Sequence, residues 1–241
     1  MPFLKAEGVK KSFGGLAAVN NVDFEIQEGE LLGLIGPNGA GKTSLFNMIS
    51  GLSEYKADSG SIKFEGKEIS KLKPNQICRL GIGRTFQIAK NFPGLSIREN
   101  VMMGALFGKP GMSAKQAAQD VDEILEYVGL GGQGNRQVPD LTLAGQKRVE
   151  VARALATKPK LLMLDETMAG LNPTEVEEAM ELVKKIRDSG TTIIMIEHVM
   201  RAIMSICERI FVLHRGEKIA SGTPEEIINN SAVIEVYLGK S

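Results

Sequence analysis

Gly36-Pro37-Asn38-Gly39-Ala40-Gly41-Lys42-Thr43 has the residue types and spacing of a loop that cradles phosphates, GxxxxGK followed by Ser or Thr. Glycines let the backbone curl so that successive N–H groups point at phosphate oxygens. A helix opening at Lys42 would add the positive end of its dipole. Lys42 has the reach for the β- and γ-phosphates of a nucleoside triphosphate, Thr43 offers a hydroxyl to Mg2+, and Ser44 follows in the same turn. A second constellation is Leu161-Leu162-Met163-Leu164-Asp165-Glu166, an apolar run closed by two acids. A buried strand of this kind delivers its carboxylates to the sheet edge where open α/β folds bind ligands. Asp165 would hold Mg2+, directly or through water, and Glu166 would polarise an attacking water. A third is the run from Thr191 to Ile196, which ends in Glu197-His198. Asp165 and His198 are 33 residues apart, enough for one helical crossover. A right-handed crossover brings both strand ends to one edge, where His198 would reach the γ-phosphate.

The elements needed to position these groups are readable from pattern. Strands over Phe3–Phe13 and Leu16–Ile26 flank the turn signal Gly14-Gly15. Leu31–Ile35 is a short buried strand leading into the glycine loop, and Ser61–Phe64 is another between Gly60 and Gly66. From about Ser96 to Ala156 the pattern turns helical. Ser113 is an N-cap for a helix running to about Val128, and a second helix after Gly145 carries Val149, Ala152 and Leu155. Alternation then returns: strand Leu161–Leu164, helix Thr174–Arg187, strand Thr191–Ile196, helix Val199–Ile206, strand Ile210–Leu213. That order implies a parallel sheet with helices on its faces. The expected fold is α/β: a phosphate-loop NTPase core with a mostly parallel sheet, an N-terminal antiparallel β subdomain and an inserted α-helical subdomain. The expected division is a nucleotide-binding core of residues 1–87 and 157–241 and a helical lobe of residues 88–156.

Composition narrows the classes. The chain has 241 residues, 43% apolar and 24% charged, which suits a globular protein with a sizeable core. Lys+Arg and Asp+Glu are both 29, so net charge is zero, which argues against a nucleic-acid partner. Cys78 and Cys207 lie far apart with no CxxC, which fits a reducing cytoplasm rather than a disulfide framework. No apolar run approaches the ~18 residues of a membrane span, and the first residues do not read as a signal peptide. A membrane role would come through a partner.

Further motifs carry a resemblance that covers nearly the whole chain, from about Phe3 to Leu238. Arg84-Thr85-Phe86-Gln87 resembles the glutamine loop of ABC-type ATPases. Residues 141–148 lie where that family has its signature, and Ala169-Gly170-Leu171-Asn172 follows the acid pair like its D-loop. Phe13 stands 23 residues before Gly36, where the family places an adenine-stacking aromatic; the bland alternative is a core residue on an edge strand. Within the family the chain looks most like LivG-type ATPases of branched-chain amino-acid importers, through KSFGGLA at 11–17, Arg84–Gln87, Leu171-Asn172-Pro173, IEHVM at 196–200 and the ending Tyr237-Leu238-Gly239. A lipopolysaccharide-export ATPase has a similar length and ending, so export stays open at this point.

The resemblance implies an ATPase that binds ATP and Mg2+ in a head-to-tail dimer, homo- or heteromeric. The phosphate loop of one subunit would face the signature of the other. Gln87 would sense the γ-phosphate and the metal, and would link the core to the helical lobe. Permease subunits, and through them an extracytoplasmic substrate-binding protein, would be the partners, at the cytoplasmic face of the inner membrane. ATP binding would close the dimer and hydrolysis would reopen it. The family signature reads LSGGQ. Aligned on Gly145-Gln146, this chain reads Thr142-Leu143-Ala144-Gly145-Gln146, so Leu143 stands in the serine position, with Thr142 a substitute after a small shift. Losing a hydrogen bond to a charged group costs ~1.5–3 kcal/mol, so slower hydrolysis is expected of a self-dimer. A weakly catalytic, nucleotide-gated subunit paired with a more active ATPase is therefore a further reading. Thr167, where the family often has proline, and Asn172, where many members have Asp, are milder departures.

Overall fold

A computed structural model describes residues 2–86, 91–92, 94–108 and 113–238. The chain divides into two compact units, residues 1–77 with 192–241 and residues 78–191. Among the described residues no helix is long and apolar enough to cross a membrane.

The first unit holds two sheets. In the antiparallel one, β1 (Leu4–Phe13) pairs with β2 (Leu16–Ile26) from Leu4 opposite Ile26 to Phe13 opposite Leu16, so the expected turn falls at Gly14-Gly15. Strand β4 (Ser59–Phe64) lies on the other side of β1, and β5 (Lys67–Glu68) follows on β4. The second sheet is built around β3 (Leu31–Ile35). It runs parallel to β8 (Thr192–Ile196) on one side and to β9 (Arg209–His214) on the other. All five residues of β3 and of β8 are buried. Continuous apolar strands of this kind are what a parallel sheet covered on both faces demands. Strand β10 (Glu217–Gly222) returns antiparallel on β9 through the turn Arg215-Gly216, where both residues have positive φ. That is the backbone a tight two-residue hairpin needs. Helix α1 (Lys42–Ile49) leaves the loop after β3, α7 (Met200–Ile206) joins β8 to β9, and α8 (Pro224–Ile228) and α9 (Ser231–Leu238) complete the unit. Helix α2 (Pro74–Leu80) carries the chain into the second unit.

In that unit β6 (Ile82–Arg84) runs parallel to β7 (Leu161–Asp165), with Arg84 opposite Met163. Helices α3 (Ile97–Gly108), α4 (Ala114–Tyr127) and α5 (Leu143–Ala156) enclose an apolar core. It includes Ile97, Val101, Val121, Leu125, Val149 and Ala152. Ser113 caps α4 in a reciprocal box with Gln116, and Val128 is its C-cap. Helix α6 (Pro173–Asp188) starts from an Asn172 cap boxed with Glu175 and has Pro173 in its first turn. The chain is α/β, with mostly parallel central strands, an N-terminal antiparallel sheet and inserted helices.

Candidate nucleotide site

The phosphate loop is set by its neighbours' backbones. Gly36 has φ 152 and Gly41 φ 102. A Cβ on Gly36 would fall 2.1 Å from the Leu213 carbonyl oxygen, and one on Gly41 would fall 2.3 Å from that of Ala18. Only glycine fits either place. The loop is fastened from outside as well: the Gly216 N–H donates to the Ala40 carbonyl at 2.9 Å, and the Asn20 N–H to the Gly216 carbonyl at 2.7 Å. Helix α1 then opens from Gly41 with no side-chain cap and no acid in its first turn. Its first N–H groups and dipole are therefore presented to an anion. Lys42 is buried, and its ammonium donates to the carbonyls of Gly36 at 2.6 Å and Pro37 at 3.1 Å. Asn38, Gly39 and Thr43 are exposed, Pro37 and Ser44 half-buried, and Ala40 buried beneath them. The cradle fits a chain of phosphates, with its one cation stored against its own rim.

Two more candidates belong to this unit. His198 is exposed, two residues beyond Ile196, and Ile196 is the register partner of Leu34, two residues before Gly36. Adjacent parallel strands thus release His198 and the phosphate loop from one edge. Phe13 ends β1 opposite Leu16 of β2, and the residue is 40% exposed, so it is not a core residue. Tyr55 meets it edge-on at 5.1 Å and the Lys11 ammonium lies 5.2 Å from its centroid, leaving a supported aromatic face at the surface.

The acid pair lies in the second unit. Asp165, the last residue of β7, is 1% exposed. Arg84 donates to its carboxylate at 2.8 Å, and its own N–H donates to the Thr85 hydroxyl at 3.0 Å. Strand β6 therefore holds the carboxylate in place. Glu166 is half-buried and its backbone is left-handed, φ 51. For a residue with a Cβ that conformation costs ~1–3 kcal/mol and persists only where the surroundings hold it. The Glu166 carbonyl accepts from the Lys147 ammonium at 2.7 Å and from the Ala169 N–H at 3.3 Å. Strain of this kind concentrates at functional sites.

Near the expected signature the cap decides the register. Thr142, extended at φ −60 and ψ 165, caps α5, and its hydroxyl oxygen accepts from the Gly145 N–H at 3.2 Å. Leu143 is the first helical residue and is 45% exposed, with Cδ2 3.0 Å from where a Cβ on Gly170 would stand. Ala144, Gly145 and Gln146 are half-buried, and Gln146 donates back to the Leu141 carbonyl at 3.1 Å. Counted from the helix start, the hydroxyl belongs to Thr142. Gln87 lies outside the described residues.

Residues 19–169 match the ABC transporter family. The chain belongs to that family. Its residues 217–241 also match the branched-chain amino acid ATP-binding cassette transporter family. The high-affinity branched-chain amino acid transport ATP-binding protein LivG of Salmonella typhimurium is 42% identical, over 100% of this chain and 99% of its own length. BraF of Pseudomonas aeruginosa, with the same description, is 38% identical over the same shares. Among solved structures, a nucleotide-free ATP-binding cassette from an ABC transporter superposes with TM-score 0.88, at 29% identity and full coverage of both chains. A dimeric cassette in a post-hydrolysis state, bound to ADP and phosphate, gives 0.82 at 28% identity, covering 92% of this chain and 98% of that one. Three residues of this ABC cassette escaped sequence reasoning in their roles: Arg84 as partner of Asp165, Thr142 as the cap, and Lys147 beneath Glu166. Arg84 had one signal, a cation three residues before Gln87 in a segment short enough to be buried.

Proposed function

We propose that this chain is the ATP-hydrolysing motor of an importer for branched-chain or other hydrophobic amino acids, working as one of two ATPase subunits on membrane permeases. The observation that carries the ATPase reading is the phosphate loop. It is closed to Cβ atoms at Gly36 and Gly41 and opens a helix with neither acid nor side-chain cap in its first turn. The cargo class rests on residues 217–241 and on the full-length likeness to LivG and BraF. The same segment favours this reading over lipopolysaccharide export.

In this reading the triphosphate lies along the N–H groups of Pro37-to-Thr43 loop residues that carry them, and Lys42 exchanges its loop carbonyls for the β- and γ-phosphates. Mg2+ would be held by Thr43, Asp165 and Gln87, whose hydroxyl, carboxylate and amide oxygens are the hard donors it prefers, and would supply positive charge against the phosphates. Phe13 stacks on adenine without reading its hydrogen-bonding edge, so discrimination among purine nucleotides is modest. Glu166 accepts the proton of the attacking water, and His198 hydrogen-bonds the γ-phosphate. Residues 142–146 of one subunit face the ATP held on the other's loop, with Thr142 supplying the hydroxyl. With Thr142 in that role, the weakly catalytic reading built on Leu143 is not favoured. Residues 88–156 would form the helical lobe; the described helices α3, α4 and α5 there share one apolar core.

The partners are a second ATPase, two permeases and, through them, an extracytoplasmic substrate-binding protein, with this chain on the cytoplasmic face of the inner membrane. Isolation in mild detergent tests this. Co-purification of hydrophobic-amino-acid-type permeases and a second ATPase is the expected result; co-purification of export permeases would reverse the direction of transport.

A further inference from the structure

Lys147 has no part in the nucleotide contacts assigned above, yet it holds the residue on which hydrolysis turns. It sits five residues beyond the Thr142 cap, in α5. Its ammonium donates to the Glu166 carbonyl oxygen at 2.7 Å. Glu166 is one of the few non-glycine residues with positive φ among those described. Two of the others, Glu65 and Arg215, precede a glycine in a hairpin turn that requires this backbone. Glu166 has no such turn to enforce it. It follows a buried strand directly, and the oxygen Lys147 holds is its own carbonyl, on the peptide that continues into Thr167. The bond is charge-assisted, the stronger kind, and shorter than the 3.3 Å bond from Ala169 to the same oxygen. Lys147 lines a mostly apolar cavity with Ala144, Val151, Thr167, Leu171 and Val183.

We infer that Lys147 is a positioning residue for hydrolysis: it clamps the Glu166 peptide in its left-handed conformation and so fixes where the carboxylate points. The inference rests on the reading of Glu166 as the base. It adds a consequence. Lys147 belongs to the helix that begins at the signature. A shift of α5 as its cap meets the ATP on a partner subunit moves the ammonium that holds the Glu166 of its own subunit. One site is thereby told the state of the other through a single bond.

The test uses the full chain in Lys147→Met, which keeps the apolar stem and removes the donor, and in Lys147→Arg, which keeps a donor. Steady-state kcat and KM, binding of a fluorescent ATP analogue and thermal unfolding are read for each. A displaced general base costs on the order of a hundredfold when misplaced by about an ångström. Lys147→Met is expected to lower kcat roughly ten- to a hundredfold, with KM and analogue affinity unchanged, and Lys147→Arg to recover most of the loss. Should Lys147→Met fail to fold, Lys147→Gln, whose shorter neutral amide cannot restore the charged bond, carries the same expectation. Wild-type kcat in the neutral variants overturns the inference. So does a parallel fall of kcat, affinity and melting temperature with no rescue by arginine, because that marks a merely structural lysine. Glu166→Gln is measured alongside: undiminished turnover there removes Glu166 as the base and overturns the inference at its foundation, a result distinct from failure at Lys147.

Discussion

The sharpest prediction concerns which residue of the signature supplies a hydroxyl. Thr142 caps α5 by accepting the Gly145 N–H at 3.2 Å, while Leu143 lies over Gly170. Accepting that bond uses a lone pair of Oγ1 and leaves its O–H to donate. Thr142→Val keeps the shape and removes both functions. Loss of the cap costs about 1 kcal/mol, which for a chain of this size lowers the melting temperature by roughly 2–4 °C. Loss of a hydrogen bond to a charged phosphate costs ~1.5–3 kcal/mol, or about ten- to a hundredfold in turnover at 1.36 kcal/mol per decade. Thr142→Ser retains both. Thr142→Asp separates them: it caps well but brings a negative charge and no donor to the phosphate. Steady-state ATP hydrolysis and thermal unfolding of the variants are the assays. The expected pattern is loss of turnover in Val and Asp, loss of stability in Val alone, and neither in Ser. Leu143→Ser is expected to give no gain. Near-wild-type turnover in Thr142→Val, or a several-fold rise in Leu143→Ser, would refute the register read from the cap.

Glu166→Gln is expected to bind ATP and accumulate as a closed dimer with hydrolysis nearly abolished; size-exclusion chromatography with and without ATP reports it. Arg84→Met removes the guanidinium from a pair whose side chains are 7% and 1% exposed. The expected loss is about 3–5 kcal/mol, read from denaturant unfolding. Burial pushes the Cys207 thiol far up, helped by the Glu208 and Glu197 charges, and burial also raises that of Cys78. A raised thiol pKa means less thiolate at a given pH. Iodoacetamide at pH 8 should therefore spare Cys207 in the native chain and label it once unfolded, as mass spectrometry will show.

What was legible in the sequence was legible for local reasons. Short, mostly apolar runs ending at glycine or acid mark β3, β7 and β8, because a strand buried on both faces shows no alternation. Ser113 announced α4 through its own capping chemistry. The phosphate loop was visible because its glycines are dictated by carbonyls at Leu213 and Ala18, which leave no room for substitution. What was missed depends on partners distant in the chain. Strand β6 is three residues long, too short for periodicity, and exists through its pairing with β7. Arg84 meets Asp165 across 81 positions. The start of α5 was read from Gly145-Gln146, but the true start is set by whichever hydroxyl can adopt the extended cap conformation, and that is Thr142. The end of the chain, with β10, α8 and α9, was read only as a family-like ending. Strand β10 depends on its pairing with β9, and α9 is a short helix whose cap, Asn230, accepting from the Ala232 and Val233 N–H groups, is one of three polar residues in a row.

The central claim is that ATP hydrolysed on this chain moves a hydrophobic amino acid inward. The most direct test is radiolabelled leucine uptake by proteoliposomes holding the complete complex with its substrate-binding protein outside and ATP inside, compared between the wild-type chain and Glu166→Gln. Uptake is expected to require ATP and to vanish with Glu166→Gln. Uptake that persists in that variant, or a complex that hydrolyses ATP without accumulating leucine, isoleucine or valine, would contradict it.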